Sequence, residues 1–219
     1  DVQQKIAEAR YKATTRVVVM RPYTNPAYQL DAEFFYNQLM SYVTRSTYRN
    51  LVRFYSPEEA AAEGMKDPHQ LLVINFENFT IGNSRQSSNT TEMKRDSVIV
   101  GTTRIDGKVH NVYGTVKAKY TVHRLEVLSA GVLSVRMVDA SNNRVMKHTN
   151  IPGRYIWASE WAAFNGDDRA LTSEQLALVD RKPAPIPPPQ PLFVNFADPL
   201  YAQAASYIGN LYNRITPRE

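Results

Sequence analysis

The sequence predicts an α/β fold of the α+β kind: helices packed on one mixed sheet, with a parallel-type N-terminal half and antiparallel hairpins in the C-terminal half. Three observations carry this expectation. Residues 16–76 read strand, helix, strand, helix, strand, the order that builds parallel pairs through crossover helices. From about Met93 to Trp157 the pattern is almost all strand, with Asp106-Gly107 and Ser141-Asn142-Asn143 as tight turns. Finally, 43% of the 219 residues are hydrophobic, and thirteen Tyr and eight Phe supply bulk for a sizeable core.

Residues 2–13 read as a helix, with Val2, Ile6 and Ala9 on one face. The wording Val2-Gln3-Gln4-Lys5-Ile6-Ala7-Glu8-Ala9-Arg10 resembles the closing helix of a tetratricopeptide-type repeat. One such helix cannot bury itself alone, so it docks on the domain or ends a helical region further upstream. Val17-Val18-Val19 forms a short strand buried on both faces, and Pro22, Asn25 and Pro26 break it. Asp31 is placed to cap a helix running to about Ser46, whose stripe is Phe35, Leu39 and Val43, widened by Phe34 and Met40. Leu51–Tyr55 is a second strand. Ser56-Pro57-Glu58-Glu59 then starts a short helix ending near Gly64, with Ser at the cap, Pro at the first position and acids in the first turn. Leu71–Phe76 has the continuous apolar character of a central strand.

Residues 82–91 are rich in Gly, Asn, Ser, Arg, Gln and Thr and read as an exposed loop. Beyond them, Val116, Ala118, Tyr120 and Val122 alternate with Lys117, Lys119, Thr121 and His123; Leu133, Val135 and Met137 alternate with Ser134 and Arg136. Each run has one apolar and one polar face. Thr172 and Gln175 form a capping box for a helix through Val179. Residues 182–191 hold six prolines and read as a stiff polyproline connector. Phe193–Phe196 reads as a last edge strand, and residues 199–214 as a closing helix with Tyr201, Ala205, Ile208 and Tyr212 on one stripe. The organisation expected is a terminal helix at 1–13, a main domain at 14–181, a Pro-rich connector at 182–192, and a closing strand and helix at 193–219 packed on that domain.

The net charge of +5 is modest, and both signs are interspersed along most of the chain. That is a solvated surface rather than a nucleic-acid footprint. With no cysteine there are no disulfides, thiolate metal sites or cysteine nucleophiles. No apolar run approaches a membrane span, and no signal peptide is visible. The chain opens at Asp1 without Met, which reads as a mature product or fragment whose targeting signal or lipid-bearing cysteine lay upstream.

No nucleophile elbow, phosphate loop or dinucleotide fingerprint occurs. The histidines His69, His110, His123 and His148 lack partners at metal-ligand spacing. His123 falls on the polar side of its strand and reads as solvated. Asn165-Gly166-Asp167-Asp168 is a compact acidic turn; calcium needs six or more oxygens, so Asp capping of the next segment is the simpler reading. Glu160, between Trp157 and Trp161, is expected to pair with Arg154 or a surface cation rather than act as a general acid. No catalytic residue, cofactor or metal is expected.

The segment Arg154–Arg169 stands out. It holds both tryptophans of the chain, and Trp, Tyr and Arg are the residues enriched at interface hot spots. The candidate partner-binding residues are Arg154, Tyr155, Trp157, Trp161, Phe164 and Arg169, with the neighbouring polyproline run. The plainer reading of Arg154–Phe164 is a core segment where the strand meets its loop; for Trp157–Asp168 the functional alternative is a glycan-binding module or a hydrolase.

Three stretches resemble envelope lipoproteins of the Bacteroidota: residues 19–28, from Val19-Met20-Arg21-Pro22 to Tyr28; residues 95–103 with 112–119, from Arg95-Asp96-Ser97 and Val112-Tyr113-Gly114; and residues 151–157 with 164–171, from Ile151-Pro152-Gly153-Arg154 and Phe164-Asn165-Gly166-Asp167. A looser similarity, at the level of fold, is to lipoprotein domains of the curli-export or penicillin-binding-protein-activator type. The resemblance carries no catalytic motif. It implies a non-catalytic scaffold or accessory subunit of a bacterial envelope complex, periplasmic or associated with the outer membrane. Its partners would be other envelope proteins, with no nucleic acid, and it would meet the membrane only through an upstream lipid anchor.

Overall fold

The computed structural model describes residues 2–45 and 51–213. The expected helix ends at Ser46 and Arg214 lie outside them. In chain order the elements are α1 (Val2–Ala13), β1 (Thr15–Val19), α2 (Gln29–Arg45), β2 (Val52–Tyr55), α3 (Pro57–Ala62), β3 (Gln70–Ile105), β4 (Lys108–Asp139), β5 (Val145–Gly166), α4 (Ser173–Val179) and α5 (Pro189–Tyr212). The strands form one sheet in the order β2-β1-β3-β4-β5. β1 is parallel to β2, with Val17 opposite Phe54, and parallel to β3, with Val18 opposite Leu71. The Asp106-Gly107 turn, with both residues at positive φ, joins β3 to β4 as a tight hairpin. The sheet is therefore mixed, as the sequence predicts.

The chain forms two compact units. The first comprises residues 1–82, 129–155 and 188–219, and the second residues 83–128 and 156–187. β3, β4 and β5 each contribute to both, so the segment 14–181 supplies residues to both units. Segment 193–219 belongs to the first.

In the first unit α2 and α5 cover the sheet face bearing Val17, Val19, Leu72 and Ile74. α3 lies on the opposite face, where Ala60 and Met65 meet Val18, Tyr55 and Leu71. Two covered faces explain the unbroken Val17-Val18-Val19 run. The stripe of α2 is buried as its spacing predicts: Phe35, Leu39 and Val43 are all nearly inaccessible. So is Ile208 of α5, while Tyr201 packs partly buried against the same core. α1 differs: Val2, Ile6 and Tyr11 are exposed, and the Arg16 guanidinium lies over the Tyr11 ring at 4.8 Å.

Both capping boxes form. Ser56 Oγ accepts from Glu59 N while Glu59 accepts from Ser56 N, and Thr172 and Gln175 do the same for α4. Asp31, in contrast, is not a cap. A short 3₁₀ turn at Pro26–Tyr28 precedes α2, and Asn25 caps it by accepting from Ala27 N at 3.0 Å. Asp31 sits in the first turn of α2, where burial pushes its carboxyl above the usual carboxylate range.

Two expected elements are corrected. Phe193–Phe196 is not an edge strand but part of α5, which starts at Pro189, so the Pro-rich connector ends at Pro188. A proline at the first helical position gives up only an N–H that would have no partner there. The stripe Phe193, Phe196, Ala197, Leu200, Ala204 and Ile208 is buried at helical spacing, straight through Pro199. Residues 82–91 are likewise not a loop but part of β3. Residues 83–91 are exposed, so no apolar alternation marks them. The strand is held by its backbone ladder and by polar cross-strand pairs such as Thr90 with Thr121 at 2.8 Å.

Candidate partner-binding surface

β5 is an edge strand of the sheet. Successive side chains along it point to opposite faces, so Trp157, Ser159 and Trp161 share one face, and Glu160, Ala162 and Phe164 the other. In the second unit Ala162 and Phe164 turn inward. They join Val116, Ala118 and Tyr120 of β4 in a core closed by Leu176 and Leu178 of α4. Trp157 and Trp161 are partly buried, and among the described residues they belong to none of the three buried clusters.

The face bearing the tryptophans has two further components. His123 of β4 stacks on the Trp161 ring, with centroids 5.5 Å apart and planes 19° apart. The imidazole expected to stand in solvent is therefore half-covered, because β4 places it beside the indole. Ser159 Oγ accepts a hydrogen bond from Ala184 N at 2.9 Å, which fixes the Pro-rich segment against β5 between the two tryptophans. This oxygen lies in a nearly buried residue. The proximity of the polyproline run to the aromatic segment is thus real.

On the other face Glu160 pairs with Arg124, not with Arg154. Six residues of strand separate Arg154 from Glu160, roughly 20 Å at about 3.3 Å per residue, beyond side-chain reach. Arg124 also donates to Glu126 at 2.7 Å. One guanidinium thus bridges two carboxylates, and these hydrogen bonds, to Glu126 first and then Glu160, raise its pKa further.

The acidic turn closes on itself. Asp167 caps the 3₁₀ turn Asp168–Ala170 by accepting from Arg169 N, and takes the Arg169 guanidinium on both carboxylate oxygens, at 2.9 and 2.5 Å. The Arg169 side-chain hydrogen bond is the largest cause holding the Asp167 carboxyl at about 2. Arg169 also donates to the carbonyl of Ile99 at 2.6 Å. Gly166 sits at φ +125, with Asp167 N donating to Lys117 O. A β-carbon at Gly166 would lie 2.5 Å from that same oxygen, so the turn requires glycine. The turn is a capped corner, as the sequence suggests. Among the described residues, no three His, Asp or Glu groups converge as metal ligands.

The six candidate residues therefore separate. Trp157 and Trp161 share a face and are brought together with His123 and the Pro-rich segment. Phe164 packs into the core of the second unit, and Arg169 is tied to Asp167. Arg154 and Tyr155 belong to the first unit, where Arg154 is exposed and Tyr155 packs against the core. Ser159 went unnoticed in the sequence, and His123 was read there as solvated rather than as part of this face. Ser159 had a signal, being the residue between two tryptophans on the same strand face; the partner of His123 depends on strand register.

No protein-family model and no curated protein sequence matches the chain. Among solved structures, it is similar to a crystal structure assigned as a homolog of the neuraminyllactose-binding hemagglutinin from Helicobacter pylori. That match has 9% identity, covers 93% of this chain and 89% of that one, and has a TM-score of 0.38. It is also similar to a minor lipoprotein from Acinetobacter baumannii, at 12% identity, covering 94% of this chain and 98% of that one, with a TM-score of 0.30. The likeness runs along almost the whole chain without close superposition, and no residue role is carried over from either.

Proposed function

We propose that this chain is a non-catalytic subunit of an extracytoplasmic envelope assembly and that it engages a protein partner through the Trp157–Trp161 face of β5. The observation that carries the reading is the pair of indoles on one strand face, partly buried yet outside every core cluster among the described residues. Rigid rings bury much area at little entropic cost, and the bond from Ala184 to Ser159 holds the face in one arrangement before a partner arrives. The neighbouring charged groups support binding rather than catalysis. Glu160 and Glu126 are held by Arg124, and Asp167 by Arg169, so their carboxylates are committed to ion pairs. The envelope setting rests on the sequence resemblance to Bacteroidota lipoproteins. No helix among the described residues is long and apolar enough to cross a membrane.

The test is Trp157→Ala and Trp161→Ala, made separately, with affinity purification from native membranes and a thermal melt of each variant. The expected result is loss of one and the same co-purifying protein with the melting temperature within about 2 °C of wild type, since truncating an interface anchor typically costs about 2 kcal/mol of binding. A large fall in melting temperature for both variants, with capture intact in the folded fraction, would make these rings ordinary core.

A further inference from the structure

We propose that the end of the β3–β4 hairpin, in the second unit, docks on an anionic lipid surface. This goes beyond the Trp157–Trp161 contact and does not depend on it. Ile99, Val100, Ile105, Val109, Val112 and Tyr113 are each between 41% and 62% exposed. Exposed apolar residues scattered singly are ordinary, but alternation along the strands puts Ile99, Ile105 and Val112 on one face of this ribbon and Val100, Val109 and Tyr113 on the other, so it is apolar on both faces.

The topology explains why nothing within the sheet covers them. The register of β1 on β3 ends at Leu72, and β5 ends at Gly166, where Asp167 N meets Lys117 O. Between those limits and the turn, β3 and β4 have only each other in the sheet. A two-stranded ribbon offers its apolar side chains no second layer.

Charge selects the occupant. Residues 93–116 hold four Lys or Arg against two Asp, so the free ribbon carries net +2 of the chain's +5. A second copy would bring the same positive charge to the contact. An anionic bilayer interface supplies apolar surface and negative charge together. Arg104 and Lys108 flank the apex, where their alkyl stems can lie along apolar surface while the cations reach headgroup phosphates. Asp106 at the apex keeps the contact at headgroup depth.

The experiment is co-sedimentation of the full chain with phosphatidylglycerol-containing and with pure phosphatidylcholine vesicles, at low and at physiological salt. Binding is expected to the anionic vesicles only, and to weaken with salt. Each basic residue near such a surface is worth about fivefold in partitioning, so Arg104→Glu with Lys108→Glu is expected to lower binding at least tenfold. Ile105→Glu with Val109→Glu is expected to lower it by a similar factor. Both pairs are solvent-exposed, and circular dichroism melts are the check that the variants fold. Three results would overturn the proposal: no binding of wild type to anionic vesicles, equal binding by folded variants, or a dimer in lipid-free sedimentation that Ile105→Glu with Val109→Glu dissociates. The last would assign the ribbon to a second copy.

Discussion

Placing one methyl group at Gly153 tests how closely α5 packs on β5 in the first unit. A β-carbon there would lie 2.8 Å from the Phe196 ring and 2.9 Å from both Leu200 methyls. Real β-carbons do not approach that closely, and Phe196 and Leu200 are both 0% exposed, so neither can yield into solvent. Overpacking of this kind costs about 1–3 kcal/mol. Removing glycine from a strand returns about 0.5–1 kcal/mol. The expected net loss for Gly153→Ala is about 1–2 kcal/mol, or roughly 2–8 °C in melting temperature for a chain of this size. Gly101→Ala is the control, because nothing lies within 4 Å of its added carbon; it is expected to be neutral or slightly stabilising. Urea denaturation of wild type, both variants and Gly153→Ala with Leu200→Val provides the assay. Shortening Leu200 alone should destabilise, whereas in the Gly153→Ala background it should relieve the crowding, giving a coupling of about 0.5 kcal/mol or more. If Gly153→Ala were as stable as wild type, and the two changes simply additive, α5 would not sit on β5 as described.

Three further outcomes are expected. Tyr36 donates to the Val19 carbonyl at 2.9 Å, and burial pushes its phenol from 10.0 up to about 12; its contribution is whole below pH 10 and is lost as pH rises through about 12, so alkaline melts of Tyr36→Phe should fall less steeply than wild type, from a start about 1 kcal/mol lower. Gly166→Ala should cost about 2–4 kcal/mol, from a left-handed backbone position and a clash with the Lys117 carbonyl, read as a lower urea midpoint; an unchanged midpoint would refute the corner geometry. Ser56→Ala removes half of the α3 capping box and should cost about 1 kcal/mol in the same assay, with Ser56→Asp close to wild type.

The candidate site was legible only in part. That Trp157 and Trp161 share a face follows from the two-residue period of a strand. That Tyr155 and Phe164 pack against cores, and that Arg169 is held by Asp167, does not follow from their abundance in one segment. Of the two partners expected for Glu160, Arg154 or a surface cation, it is a surface cation that pairs with it: Arg124, 36 positions away on another strand. Strand register, which sequence spacing does not contain, decides such pairs.

By itself the sequence determined the features whose physics acts within a few residues. These include the stripe of α2 through Phe35, Leu39 and Val43, both capping boxes, the Asp106-Gly107 hairpin and the doubly buried Val17–Val19 strand. Only the tertiary structure decided whether Phe193–Phe196 would be strand or helix. A four-residue apolar run fits both periods, and the prolines around it read as breaks. Burial of Phe196 and Leu200 over Gly153 selects the helix. The polar stretch 83–91 became strand for the converse reason: its ladder is satisfied by β4, and pairing of backbone groups leaves no trace in the side chains.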